Sequence, residues 1–169
     1  ILLIGMHGFG GNHYRFSEYS RLIENEEIIY VTPQAPYPME FTMGKTSSFS
    51  WTISDMEEKP SLNHSGVLAM DYIVALTKTL KSKYNIKACY LSGFSQGAYM
   101  TYVTGLKNPK LYDGLICFGG GMIKDWITKS DIKKAKSLPV LIVHGSLDST
   151  VKYSEATDAY EILQKNQYF

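Results

Sequence analysis

Three short stretches of this 169-residue chain hold groups that could do chemistry together. The densest is Gly93-Phe94-Ser95-Gln96-Gly97, a G-x-S-x-G pattern. Where such a pattern joins a strand to a helix, the chain turns sharply and the serine hydroxyl is left exposed at the helix N-terminus. The helix dipole and free N–H groups there favour developing negative charge. Gly93 and Gly97 remove side chains that would clash in so tight a turn. This is the setting of a nucleophilic serine, Ser95, although the bare pattern also suits an inert Gly-Ser turn. The second stretch is His7-Gly8-Phe9-Gly10-Gly11, whose glycines let backbone come close to a reacting carbonyl. An N–H from this loop (Phe9, with Gly10 as the alternative) and the N–H of Gln96 would form an oxyanion hole. Each such donor is worth about 3–4 kcal/mol in a transition state. A glycine-rich loop can also cradle phosphate, but the lysine of G-x-x-x-x-G-K-[ST] is missing. The third stretch is His144-Gly145-Ser146-Leu147-Asp148. Asp148 could orient a histidine and stabilise its imidazolium, or cap the helix that follows.

These groups need elements to hold them, and the apolar pattern supplies a strand before each. Ile1–Met6 reads as a strand ending at the first glycine loop, and Asn12 to about Glu24 as a helix. Ile28–Val31 is a second strand. Thr32 to about Lys59 has no clear period and reads as an unusually long aromatic loop. Ser61 to about Tyr84 is a helix. Ala88–Leu91 is a strand running into Ser92-Gly93, and Ser95–Leu106 a helix. Gly114–Phe118 and Pro139–Val143 are the last two strands, with a short helix at Asp131–Ser137 between them. Tyr153–Lys165 closes the pattern as a helix, and Phe169 reads as the start of one more strand. Strands that are apolar without alternation are buried on both faces, as in parallel sheets, and strand–helix alternation builds right-handed crossovers. The expected architecture is an open, mostly parallel sheet with helices on both faces. Ligands of such sheets bind beyond the strands' carboxyl ends, where all three stretches fall.

Composition narrows the classes. Seventeen basic and sixteen acidic residues leave a net charge of +1, with no basic run of the kind that tracks nucleic acid. The apolar fraction of 44% and aromatic fraction of 13% exclude disorder, and no apolar run is long enough for a transmembrane segment. Cys89 and Cys117 fall in core strands and read as small buried hydrophobes, which suits a reducing, cytoplasmic setting. His and Cys residues show no metal-ligand spacing.

In this order the motifs resemble the α/β-hydrolase superfamily, and more closely its phospholipase/carboxylesterase branch, which includes acyl-protein thioesterases and small bacterial esterases. His7-Gly8-Phe9-Gly10, Thr32-Pro33-Gln34-Ala35-Pro36, Gly93-Phe94-Ser95-Gln96-Gly97-Ala98 and His144-Gly145-Ser146-Leu147-Asp148 carry the resemblance. It covers almost the whole chain and implies a single α/β-hydrolase domain over residues 1–169, incomplete at both ends. It further implies a serine hydrolase of carboxylic esters or thioesters (carboxylesterase, acyl thioesterase or lysophospholipase-like) working through an acyl-enzyme. The implied partner is a small-molecule acyl ester or thioester, and no cofactor or metal is called for. By the same resemblance, Ser50-Trp51 belongs to the loop walling the acyl pocket, with Trp51 in the wall; Trp51 equally suits plain packing. Tyr37, Phe41 and Phe49 in that loop offer further apolar walls, and an uncharged short or medium acyl group is expected. The alternatives are a dienelactone-hydrolase-like or peptidase-like reaction, and a non-catalytic ligand-binding protein on the same fold.

The histidine departs from the pattern. The superfamily order is Ser, Asp, His, yet no His lies among the 21 residues after Asp148. His7 and His144 read as structural, and His13 and His64 carry no assigned chemistry. The base is expected beyond Phe169, roughly 8–25 residues on, after a loop and one more strand. A pseudo-enzyme that only binds ligands, or a rewired triad, would also fit a chain without that histidine. The chain also opens on Ile1 inside an apolar run, so residues are expected upstream.

Overall fold

The computed structural model describes residues 1–23, 27–42, 45–53 and 59–166. Five strands form one parallel sheet: β1 (Leu2–Met6), β2 (Ile29–Val31), β5 (Cys89–Phe94), β6 (Gly114–Phe118) and β7 (Val140–Val143). Their order across the sheet is β2-β1-β5-β6-β7. The register sets Ile4 opposite Leu91 and Leu91 opposite Leu115. Because side chains alternate along a strand, this puts Leu2, Ile4, Met6, Cys89, Leu91, Leu115 and Cys117 on one buried face. Helix α3 (Gln96–Lys107) packs on that face against β5 and β6, and α2 (Lys59–Lys83) and α4 (Lys129–Lys134) pack against α3. Helix α5 (Tyr153–Lys165) sends Ala159 and Leu163 into the same core.

The other face carries Leu3, Tyr30, Ser92, Phe94, Ile116, Phe118, Leu141 and Val143. Helix α1 (His13–Ser17) and the 3₁₀ turn Glu18–Leu22 line one side of it. With Phe16, Tyr30 and Phe118 they bound a cavity of about 560 Å³. Phe94, Phe118, Leu141 and Val143 stand exposed there. Helices therefore lie on both faces, as expected, but unequally.

Two elements differ from the sequence pattern. The expected loop after β2 contains an antiparallel hairpin, β3 (Tyr37–Thr42) and β4 (Lys45–Ser50). Its register shifts between Pro38 and Glu40 and again between Glu40 and Phe41. Such irregularities break the two-residue alternation by which a strand is read. The expected Asn12–Glu24 helix is shorter: Asn12 caps it by accepting the Arg15 N–H at 2.9 Å, and after Ser17 the turns tighten to 3₁₀. Glu24 and Phe169, two of the expected element limits, lie outside the described residues.

Candidate active site

Ser95 links β5 to α3 with φ 53° and ψ −118°, and among the described residues it is the one non-glycine with positive φ. That region is costly for a residue with a Cβ and persists only where the surroundings enforce it. Here they do. The Ser95 N–H donates to Phe118 O at 2.8 Å, and its carbonyl accepts from the N–H of Ala98 at 2.8 Å and of Tyr99 at 3.3 Å. The turn is closed by glycines whose hydrogens face backbone. A Cβ on Gly97 would stand 2.2 Å from Met6 O, and one on Gly93 2.1 Å from Gly97 O. The Ser95 hydroxyl makes no hydrogen bond among the described residues and stands at the N-terminus of α3. Ser95 is half-buried at this junction.

The glycine loop after β1 lies beside it: a Cβ on Gly8 would be 3.3 Å from Ser95 Cβ. The Gly10 N–H is taken up by Phe49 O at 3.0 Å, and Phe49 N–H returns to Gly11 O at 3.0 Å. The N–H groups of Phe9 and Gln96 find no acceptor among the described residues. Of the two loop donors considered from sequence, Phe9 is therefore the one left available.

His7 holds this loop from within. It is buried, its Nδ1 lies 2.8 Å from Gly8 O, and its Nε2 meets the Ala35 N–H at 3.2 Å and Gln34 Nε2 at 3.1 Å. An amide N–H can only donate, so Nε2 is an acceptor and the proton sits on Nδ1. Burial pushes the His7 pKa below 6.5, favouring the neutral ring. Gln34 in turn accepts the His13 N–H through Oε1 at 3.1 Å. The Thr32–Pro36 motif thus serves as the bracket for His7, a role the motif by itself does not announce. A donor-only partner for a histidine is visible only once the fold brings residues 7 and 35 together.

Trp51 is not in an exposed pocket wall. Its side chain is fully buried, its indole N–H donates to His7 O at 2.7 Å, and its ring lies 5.3 Å from the His7 ring, tilted by 39°. The packing alternative describes it: Trp51 supports the glycine loop from behind. Tyr37 also turns inward, donating to Ser65 O at 3.1 Å, and the Phe41 side chain lies outside the described residues. The large apolar groups exposed next to Ser95 are Phe9 and Phe94, at 59% and 51%. The aromatic run between Tyr30 and Trp51 misled because aromatic residues serve a core as readily as a ligand.

Asp148 sits in the loop after β7. Its Oδ1 accepts the N–H groups of Thr150 at 2.8 Å and Val151 at 2.9 Å. The Val151 and then the Thr150 hydrogen bond hold the carboxyl below its usual pKa. Helix α5 begins later, at Tyr153, and its N-cap is Lys152 with no side-chain cap hydrogen bond, so the helix-cap alternative does not describe Asp148. Its Oδ2 lies at the carboxyl end of β6, 3.8 Å from where a Cβ on Gly119 would stand. Gly119 follows Phe118, the residue whose carbonyl holds Ser95, so Ser95 and Asp148 flank one strand end. His144 is buried, with Nε2 2.8 Å from Val151 O and 3.6 Å from Asp148 Oδ2. It braces the same loop, as the structural reading expected. His13 and His64 are exposed on α1 and α2.

The parallel sheet, the strained serine turn and the two flanking loops define an α/β-hydrolase. The chain belongs to the phospholipase/carboxylesterase family, whose pattern matches residues 1–168. It is similar to a probable carboxylesterase SOBER1-like protein of Arabidopsis thaliana, 32% identical over 91 residues, or 53% of this chain and 35% of that relative. It is also similar to a probable acetylxylan esterase A of Aspergillus clavatus, 27% identical over 124 residues, or 70% of this chain and 36% of that relative. These matches span about a third of the relatives' lengths. Among solved structures, the Zea mays acyl-protein thioesterase 2 superposes with a TM-score of 0.73 at 20% identity, covering 99% of this chain and 80% of that one. Among the described residues, no helix is long and apolar enough to cross a membrane.

Proposed function

We propose that the protein is a serine hydrolase of carboxylic esters or thioesters. The observation that carries this reading is the left-handed Ser95 turn, whose strain has a use if the hydroxyl must stand clear of the strand and in front of free N–H groups. Ser95 Oγ attacks the acyl carbonyl while a histidine takes its proton. The Phe9 and Gln96 N–H groups bind the oxyanion. The same imidazolium then protonates the departing alcohol or thiol, leaving an acyl-Ser95 ester. Water attacks this ester by the reverse sequence and releases the acid. Asp148 Oδ2 orients the imidazole and balances its charge.

The base is read as neither His7 nor His144. In support, His7 uses both ring nitrogens, His144 is buried on Val151 O, and Asp148 Oδ2 lies beside Gly119 at the carboxyl end of β6. The substrate is an uncharged short or medium acyl ester or thioester, met by the exposed rings of Phe9 and Phe94. The relatives' names, carboxylesterase and acetylxylan esterase, lie in the same chemical class. A cytoplasmic location is consistent with Cys89 and Cys117 being free, buried thiols; burial raises the Cys89 pKa to about 11 and pushes the Cys117 thiol up as well. A panel of p-nitrophenyl esters, given to the complete protein and to its Ser95→Ala variant, tests the reading. Hydrolysis of acetyl to hexanoyl esters that disappears in the variant is expected. Activity in Ser95→Ala above a thousandth of wild type would remove Ser95 from the mechanism.

A further inference from the structure

The Gln96 side chain occupies an unexpected place. At the first turn of α3 a glutamine would ordinarily extend into solvent. This one reaches across to the end of β4 and is half-buried there. Its Oε1 accepts the Trp51 N–H at 3.0 Å, and its Nε2 donates to Ser50 Oγ at 2.9 Å and Thr52 Oγ1 at 3.0 Å. The Trp51 N–H is donor-only, so the orientation of the amide is fixed by chemistry. Ser50 Oγ lies 3.4 Å from Oε1 but donates its own hydrogen to Thr52 O. It also accepts the Thr52 N–H at 3.2 Å. Ser50, Trp51 and Thr52 are all buried. Both hydrogens and the carbonyl oxygen of Gln96 are thus committed to three consecutive buried residues.

Those three residues are also tied to the other oxyanion donor. Trp51 donates its indole N–H to His7 O, and β4 exchanges backbone hydrogen bonds with Gly10 and Gly11 through Phe49. The chain from Phe9 back to His7, across to Trp51, on to Gln96, and from Gln96 through Ser50 and Phe49 to Gly10 closes a ring of hydrogen bonds. The two free N–H groups, those of Phe9 and Gln96, stand on this ring. We infer that the end of β4 is the ruler that sets the distance between the two oxyanion donors, with the Gln96 carboxamide and Thr52 hydroxyl as its positioning groups. This rests on the hydrolase reading above. It gives Gln96 two separate tasks: its backbone donates to the oxyanion, and its side chain fixes where that donor stands.

Ångström-scale misplacement of catalytic groups costs up to about 100-fold in rate, and it acts on the transition state more than on ground-state binding. In the complete protein acting on p-nitrophenyl acetate, Thr52→Val keeps the side-chain shape but removes the acceptor for one Gln96 hydrogen. A fall in kcat of about 5- to 20-fold with KM within about twofold is expected. Thr52→Ser keeps the hydroxyl but loses a methyl group, and it should stay within about threefold of wild-type kcat because the clamp survives. A packing role for Thr52 requires the opposite order, Val above Ser, so that result overturns the inference. Gln96→Met, similar in length and without hydrogen bonds, should lose about 100-fold in kcat. If it fails to fold, the Thr52 pair decides alone. Wild-type kcat in either Thr52→Val or Gln96→Met, or a loss carried by KM, also overturns the inference. Ser95→Ala run in parallel separates the two readings: its continued activity sinks the hydrolase mechanism itself, whereas a dead Ser95→Ala beside a fully active Thr52→Val sinks only the ruler.

Discussion

Asp148 gives one carboxylate oxygen to its own loop and turns the other towards the strand ends. Asp148→Asn preserves the carbonyl oxygen that holds Thr150 and Val151, but replaces Oδ2 with a donor that would hold a histidine in the wrong tautomer. The expected result is an unchanged fold with a loss in kcat of about 10⁴. A loss of tenfold or less would reduce Asp148 to a loop-former. His7 makes a second prediction, on stability. Its folded pKa is lowered from 6.5 by burial, so the folded state binds a proton less readily than the unfolded chain does. Its contribution is complete above about pH 6.5 and is lost as pH falls from there through the lowered pKa. Protonation would also set a new N–H on Nε2 against the Ala35 N–H. Melting temperature should therefore fall between pH 7 and pH 5, and the slope should shrink in His7→Gln. An equal slope in the variant would contradict the assignment. At this scale Ser95, Gln96 and Asp148 were legible as candidates because each stands in a short motif just after a strand. The structural role of His7 was expected; its partners Gln34 and Ala35 were not, because no local pattern links residues so far apart.

At the scale of elements, the serine turn works only if α3 can approach the end of β1. A Cβ on Gly97 would meet the Met6 carbonyl at 2.2 Å, and backbone atoms cannot rotate aside as a side chain can. Gly97→Ala is expected to displace the turn and to lose most ester hydrolysis, with a melting temperature lowered by several degrees as for other strained core changes. A fully active, equally stable Gly97→Ala would mean that the junction is looser than this geometry allows. The five sheet strands were legible because both faces of the sheet are built from apolar residues, which leaves continuous apolar runs such as Leu2–Met6 and Gly114–Phe118. The β3–β4 hairpin was not, since its bulges and its Ser, Thr and Pro residues erase the period. The missed element is the one that carries the oxyanion ruler and turns Trp51 into the core. The misplacement of Trp51 and the missed hairpin therefore have one cause.

Across the whole molecule, the two faces of the sheet differ. One is sealed by α2, α3 and α5; the other leaves Phe94, Phe118, Leu141 and Val143 exposed on neighbouring strands. Contiguous apolar surface of this kind binds hydrophobic dyes or further protein. The 169-residue chain alone should enhance the fluorescence of anilinonaphthalene sulfonate. Replacing Leu141 and Val143 together by threonine, which keeps the strand preference, should remove about half of that signal or more. An unchanged signal would place the dye elsewhere. The overall order of strands and helices could be read from sequence, but this imbalance between faces could not, because both faces are built from apolar residues. The central claim is that Ser95 is an activated nucleophile. It is tested most directly by treating the complete protein with a fluorophosphonate and mapping the adduct by mass spectrometry. A single phosphonyl group on the peptide containing Ser95, lost in Ser95→Ala and strongly slowed in Asp148→Asn, is the predicted result. An unlabelled Ser95 in the folded complete protein, or labelling that persists in Ser95→Ala, would contradict it.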